Sequence, residues 1–136
     1  MKIRSFGIVT LRTVGMRHAA EYEIVMKGDE AEVSRYAMFF GETEDRRRLE
    51  RRALCSQKQI LKLLNACRLL KWDGFYGERP KGLRDGTTFH LNAVVNDGRE
   101  ICARGAQNFP RGYAVFMDAL NEILRAPSAE KTVSPD

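Results

Sequence analysis

Histidine is the side chain best suited to proton transfer near neutral pH, and this chain holds two, His18 and His90. His90 stands beside Asn92 on the polar side of an alternating stretch and His18 follows a turn, so both read as surface residues. A cysteine–histidine pair would join a nucleophile to its base, and it needs Cys55, Cys67 or Cys102 exposed beside one of them. Cys67 falls instead on an apolar stripe and the other two flank ordered elements, the pattern of structural thiols. Glu21, Glu23, Asp29, Glu30 and Glu32 offer the oxygen ligands that hard cations take, without the regular spacing of a calcium loop. A solvated strand edge accounts for them, and no metal or cofactor is expected. Gly74, Gly77, Gly82 and Gly86 punctuate a loop that leads into a strand, whereas a phosphate-binding loop leads into a helix N-terminus. Catalysis is the least favoured class.

Two groups of residues remain that can bind. Arg46, Arg47, Arg48, Arg51 and Arg52, followed by Lys58 and Lys62, can line up phosphate contacts, with Tyr36, Phe39 or Phe40 as stacking faces. Glu42, Glu44, Asp45 and Glu50 interrupt the run, as they would in a solvated charged face. Within it Arg47, Arg48, Arg51 and Arg52 are the residues expected to meet an anion or nucleic acid. The other group follows Trp72-Asp73-Gly74-Phe75-Tyr76-Gly77, a segment that ends one helix and opens a loop. Trp72 is expected to fold back onto the core, leaving Tyr76, Arg79, Lys81 and Arg84 for contact with a partner. The function expected from these groups is a non-enzymatic protein-interaction module that binds a protein partner or a second copy of itself. Nucleic-acid binding through residues 46–52 is the alternative.

These residues must be carried by a chain of 136 residues, 43% hydrophobic, a length and composition that fit one domain, placed at 1–125. Net charge is +5, and residues 42–86, with 12 basic and 7 acidic groups, hold all of the excess. No apolar run reaches the roughly 20 residues that cross a bilayer, and the opening residues lack the long apolar stretch of a secretory signal. A cytoplasmic protein that binds no membrane is expected, its three cysteines reduced because they are odd in number and widely spaced.

Ile3 to Val14 is rich in β-branched residues and ends at Gly15, the pattern of a strand and turn. Ala20, Tyr22, Ile24 and Met26 alternate with acids up to Lys27-Gly28-Asp29, and Val33 to Phe40 supplies a third strand. Connections this short make an antiparallel meander. In residues 42–54 Leu49 and Ala53 fit a helical i, i+4 pair while a fourth, solvent-facing strand fits the topology equally well, and the strand is the reading taken. Ser56-Gln57-Lys58-Gln59 matches a capping box, and Ile60, Leu63, Leu64, Cys67 and Leu70 form the apolar stripe of a helix that Gly74 is placed to end. Phe89, Leu91, Ala93 and Val95 alternate with polar residues before the turn Asn96-Asp97-Gly98, which predicts a hairpin running to Gly105. Asn108 is placed to cap a second helix bearing Phe109, Tyr113, Phe116, Leu120 and Ile123, with Pro110 in its first turn. From Ala126 the composition is that of a disordered tail. The expected fold is α+β, an antiparallel sheet in the order βββ(β)αββα with two helices packed on one face.

That order, with Ser5-Phe6-Gly7, Glu21-Tyr22-Glu23-Ile24, Trp72-Asp73-Gly74-Phe75, Asp85-Gly86-Thr87-Thr88-Phe89 and Asn108-Phe109-Pro110 followed by Tyr113 and Phe116, resembles a loosely defined group of small bacterial α+β proteins of unknown function. The likeness spans most of residues 3–125 and implies a fold, with no activity or functional residue to carry across. The arginine-rich 46–52 segment is foreign to that pattern.

Overall fold

The structure is a computed structural model that describes residues 2–15, 18–40, 45–77, 87–106 and 108–125. Four strands come first: β1 (Phe6–Val14), β2 (Ala19–Lys27), β3 (Glu30–Phe40) and β4 (Asp45–Ser56). They are followed by α1 (Gln57–Ala66), a 3-10 turn (Leu69–Trp72), β5 (Tyr76–Gly77), β6 (Thr88–Val95), β7 (Arg99–Ala106) and α2 (Tyr113–Arg125). One sheet holds every strand in the order β4-β3-β2-β1-β6-β7-β5, antiparallel throughout except for the parallel two-residue β5. The class is α+β as expected, and residues 45–56 are a strand. The order differs from βββ(β)αββα by the extra strand β5, too short to leave a periodic signal. The tail from 126 lies outside the described residues.

Local chemistry explains the joints. Gly28, at φ 63, opens the two-residue turn that pairs Lys27 with Glu30, the conformation that glycine adopts without a Cβ penalty. Ser56 is both the last residue of β4 and the cap of α1, its Oγ accepting the Gln59 N–H at 3.1 Å. Alternation then sorts the sheet. Val9, Leu11, Ile24, Val33, Ala53, Phe89, Leu91, Ala93 and Ala103 share one buried cluster with Ile60, Leu63, Leu64, Phe116, Leu120 and Ile123 of the helices. Two asparagine amides tie down the N-terminal segment. Asn65 accepts from Ile3 N at 2.8 Å and donates to Ile3 O at 3.0 Å, while Asn96 accepts from Arg4 N at 2.7 Å.

Both helices are shorter than their apolar patterns predict. The α1 helix ends at Ala66 instead of reaching Gly74, and Arg68 takes the left-handed conformation, φ 57. At about 100° per residue, an uninterrupted helix would turn Leu69 and Trp72 roughly 180° and 120° away from Ile60, and would aim Lys71 at the core. Breaking after Cys67 reverses this outcome: Leu69 and Trp72 are buried and Lys71 is exposed. The α2 helix begins at Tyr113 rather than after Asn108, because Gly112, at φ 96, precedes it directly beneath the Cys67 carbonyl, where a Cβ would collide. Phe109 still packs in phase, its ring 4.4 Å from Tyr113 and 5.4 Å from Phe89.

Trp72 closes the junction. Its indole N–H lies 3.1 Å from Cys67 O and 3.0 Å from Arg111 O, and its ring meets Phe116 edge-on at 5.6 Å. Trp72→Phe, which leaves both carbonyls without their donor, is expected to cost about 2–4 kcal/mol in urea denaturation. Burial also pushes the Cys67 thiol from 9.0 up to about 12. In the folded state it stays protonated while the unfolded thiol ionises, so its contribution is complete below about pH 9 and declines as pH rises toward 12. Urea titrations between pH 8 and 10.5 are expected to show stability falling with pH, and Cys67→Ala is expected to flatten that limb by up to about 1.4 kcal/mol per pH unit.

Candidate functional site

The arginines and Tyr76, the one described member of the second group singled out in the sequence, lie at opposite edges of the sheet. Strand β4, with the arginines, forms one edge and β5, with Tyr76, the other. At about 4.8 Å per strand they are separated by roughly 29 Å. The structure does not combine them into one site.

On β4 the pleat divides the arginines. Arg47 and Arg52 point to the face opposite the helices, where they cover Tyr36. The Arg47 guanidinium lies 3.9 Å from the Tyr36 ring centre and donates to Glu21 Oε1 at 2.8 Å, with Glu23 at 3.6 Å. Arg52 donates to Ser34 Oγ at 3.0 Å and the Tyr36 hydroxyl at 3.1 Å, with Glu32 at 3.5 Å. Arg12 reaches Glu21 from the other side at 3.6 Å, so a carboxylate side chain only 10% exposed faces two guanidinium groups. Tyr36 is buried by arginine stems and heads instead of by a helix. The Glu21 hydrogen bond holds the Arg47 guanidinium even more firmly protonated than usual.

Arg48 and Arg51 emerge on the helix-bearing face, and neither makes an ion pair among the described residues. Arg51 lies across from Arg35, a like-charge pairing that the next residue relieves. A register shift between Arg35 and Tyr36 leaves Glu50 as an extra residue on β4, and its carboxylate meets Arg35 at 3.1 Å. Arg48 rests 5.2 Å from the Phe39 ring centre. Phe39, expected to stack, is thus partly covered from within but remains 48% exposed, and the Phe40 side chain lies outside the described residues. Leu49 and Leu54 on this strand are 42% and 48% exposed.

At the opposite edge, Tyr76 is exposed with the Arg104 guanidinium 5.1 Å from its ring centre. Together with Thr88 and His90 they line a cavity of about 420 Å³. Arg79, Lys81 and Arg84 lie outside the described residues. His90 Nε2 is 3.8 Å from Cys102 Sγ, so one cysteine does stand beside a histidine. The pair is a weak contact, and no third side chain is recorded holding His90 among the described residues, so it lacks the orienting group of a nucleophilic site. Among these residues no three of His, Cys, Asp or Glu converge to hold a metal. None of their helices is long and apolar enough to cross a membrane.

The sequence reading missed a cavity of about 490 Å³ on the helix-bearing side, beyond the start of α2. Its floor is the cross-strand pair Ala20–Ala37, and Tyr22, Arg35, Arg48, Glu50, Tyr113 and Met117 line it. The available signal was the drop from the large pair Ile24–Val33 to two alanines on the same face. Burial raises the Tyr22 phenol and pushes the Tyr113 phenol up to about 12, so both remain neutral donors.

No family model and no curated protein matches this chain. A double-mutant cycle with Glu21→Ala and Arg47→Ala is expected to give a coupling of about 0.5–3 kcal/mol in urea denaturation, shrinking at high salt. A coupling near zero would mean that the Arg47 charge is free for an outside anion.

Proposed function

We propose that the protein is a non-enzymatic binding module that accepts an acidic, extended segment of a protein partner along the outer edge of β4. One observation carries this reading: a strand of twelve residues, Asp45–Ser56, closes the sheet on a side where, among the described residues, its outward main-chain groups have no neighbouring strand. Arg48 and Arg51 flank that edge without acidic partners among the described residues, and Leu49 and Leu54 stand exposed beside them. Added strands gain main-chain hydrogen bonds from such an edge and specificity from alternate side chains. The edge at β5, two residues long, offers far fewer.

The same charges oppose two other occupants. A second copy pairing through β4 about Leu49 would set Arg47 against Arg51 and Arg46 against Arg52, like charges across a ladder. Nucleic acid would draw on Arg47 and Arg52 together with Arg48 and Arg51, and Glu21, Glu23 and Glu32 already neutralise the first two. The three free thiols, one of them buried, suit the reducing cytoplasm in which we place the module.

The test is anisotropy with a labelled alternating Glu-Val octapeptide, the same peptide N-methylated at alternate residues, its Lys-Val counterpart, and a mixed-sequence oligonucleotide. Binding of the Glu-Val peptide is expected, with at least a tenfold loss on N-methylation in one of the two phases and in Arg48→Glu/Arg51→Glu. Equal binding of N-methylated peptides in both phases would overturn strand addition. Preference for the oligonucleotide would move the protein to the nucleic-acid class.

A further inference from the structure

The cavity beyond the start of α2 is separate from the outer edge of β4 in both shape and chemistry. Elsewhere on the helix-facing side of the sheet an alanine sits across from a larger side chain, as Ala53 does from Val33 and Ala93 from Val9. At Ala20 and Ala37 the same face falls to single methyl groups, and α2 begins too late in the chain to fill the space. The result is a hollow of about 490 Å³, within the roughly 300–1,000 Å³ of small-molecule sites. Phe39, Tyr113 and Met117 form its apolar walls. A planar ring fits a floor of two methyl groups between such walls, and sulfur favours an aromatic edge.

The polar groups define the rest of the ligand. Arg35 is neutralised by Glu50 at 3.1 Å. Arg48, held 5.2 Å from the centre of the Phe39 ring, has no carboxylate partner among the described residues, which makes it the lining arginine left uncompensated. The Tyr22 hydroxyl donates to Asn121 Oδ1 at 3.4 Å, and the Tyr113 phenol, neutral at physiological pH, can donate to an oxygen within the hollow. A phosphate dianion would need more cationic donors than this lining holds; a single carboxylate matches it.

We infer that this cavity is a binding site for a small aromatic carboxylate, its ring on the Ala20–Ala37 floor and its carboxylate paired with Arg48. The assignment goes beyond strand addition at β4. Although Arg48 takes part in both, filling the floor leaves the outer main chain of β4 untouched, so the two readings fail separately.

The test uses 1-naphthoate as probe and 1-naphthalenemethanol as its uncharged analogue, titrated calorimetrically into the full chain. Saturable one-to-one binding of the acid is expected, at least tenfold tighter than the alcohol, weakened at least tenfold in Arg48→Gln and unchanged in Arg104→Gln at the far edge. Ala37→Leu, which places a larger side chain in the hollow, is expected to abolish it with the circular dichroism spectrum preserved. Methyl spectra of the wild-type chain give a second readout that depends on no variant, with naphthoate-induced shifts centred on Ala20, Ala37 and Met117. Absence of saturable binding, equal binding of the alcohol, binding that survives in a folded Ala37→Leu, or shifts centred between the helices at Ala66 and Ala119 would each overturn the assignment.

Discussion

One indole N–H organises the junction on which the packing of the helices depends. Trp72 lies within hydrogen-bonding distance of the carbonyl that follows α1 and of the carbonyl just before α2, and it is 1% exposed. A buried carbonyl without a donor costs about 1–3 kcal/mol, so one side chain stabilises two chain segments that would otherwise be incompatible with a dry interior. Gly112 completes the arrangement, since only a residue without a Cβ lets the chain pass beneath Cys67 O. From there Phe116, Leu120 and Ile123 follow onto the sheet in register with Ile60 and Leu64.

The same economy governs the strands. The pleat sends alternate side chains to opposite faces, and the chain uses one alternation for aliphatic packing and the other for a lattice of arginine and glutamate. On that second face Glu21, between Arg12 and Arg47, substitutes for the covering layer that a helix would provide. Exposed ion pairs contribute little individually, yet these share partners and lie over Tyr36, where desolvated arginine stems add packing to charge. An edge strand dense in arginine and broken by a bulge also resists indiscriminate pairing.

Local order was legible where a short-range rule acts alone. Ser56 announced its helix because a serine hydroxyl and a backbone N–H three residues on need no other element, and Asn96-Asp97-Gly98 announced its hairpin because the turn demands positive φ. The end of α1 was misread for a reason that was itself present in the sequence: extending the helix past Cys67 buries Lys71 and exposes Leu69 and Trp72. The late start of α2 was not legible, since it depends on the approach of Gly112 to Cys67, 45 positions earlier in the chain.

The arginine run shows the same division on the functional side. Residue types and period by themselves pointed to an α+β chain with a hairpin and an arginine-rich segment that fits either a strand or a helix. Which arginines are neutralised, and which remain uncompensated, followed only from the sheet register that sets Arg47 beside Glu21 and shifts Glu50 toward Arg35. The cavity over Ala20 and Ala37 likewise depends on two alanines from different strands falling side by side next to the first turns of α2. Periodicity is a property of one segment, whereas charge pairing and empty volume are properties of segments brought together, and the tertiary structure alone decides them.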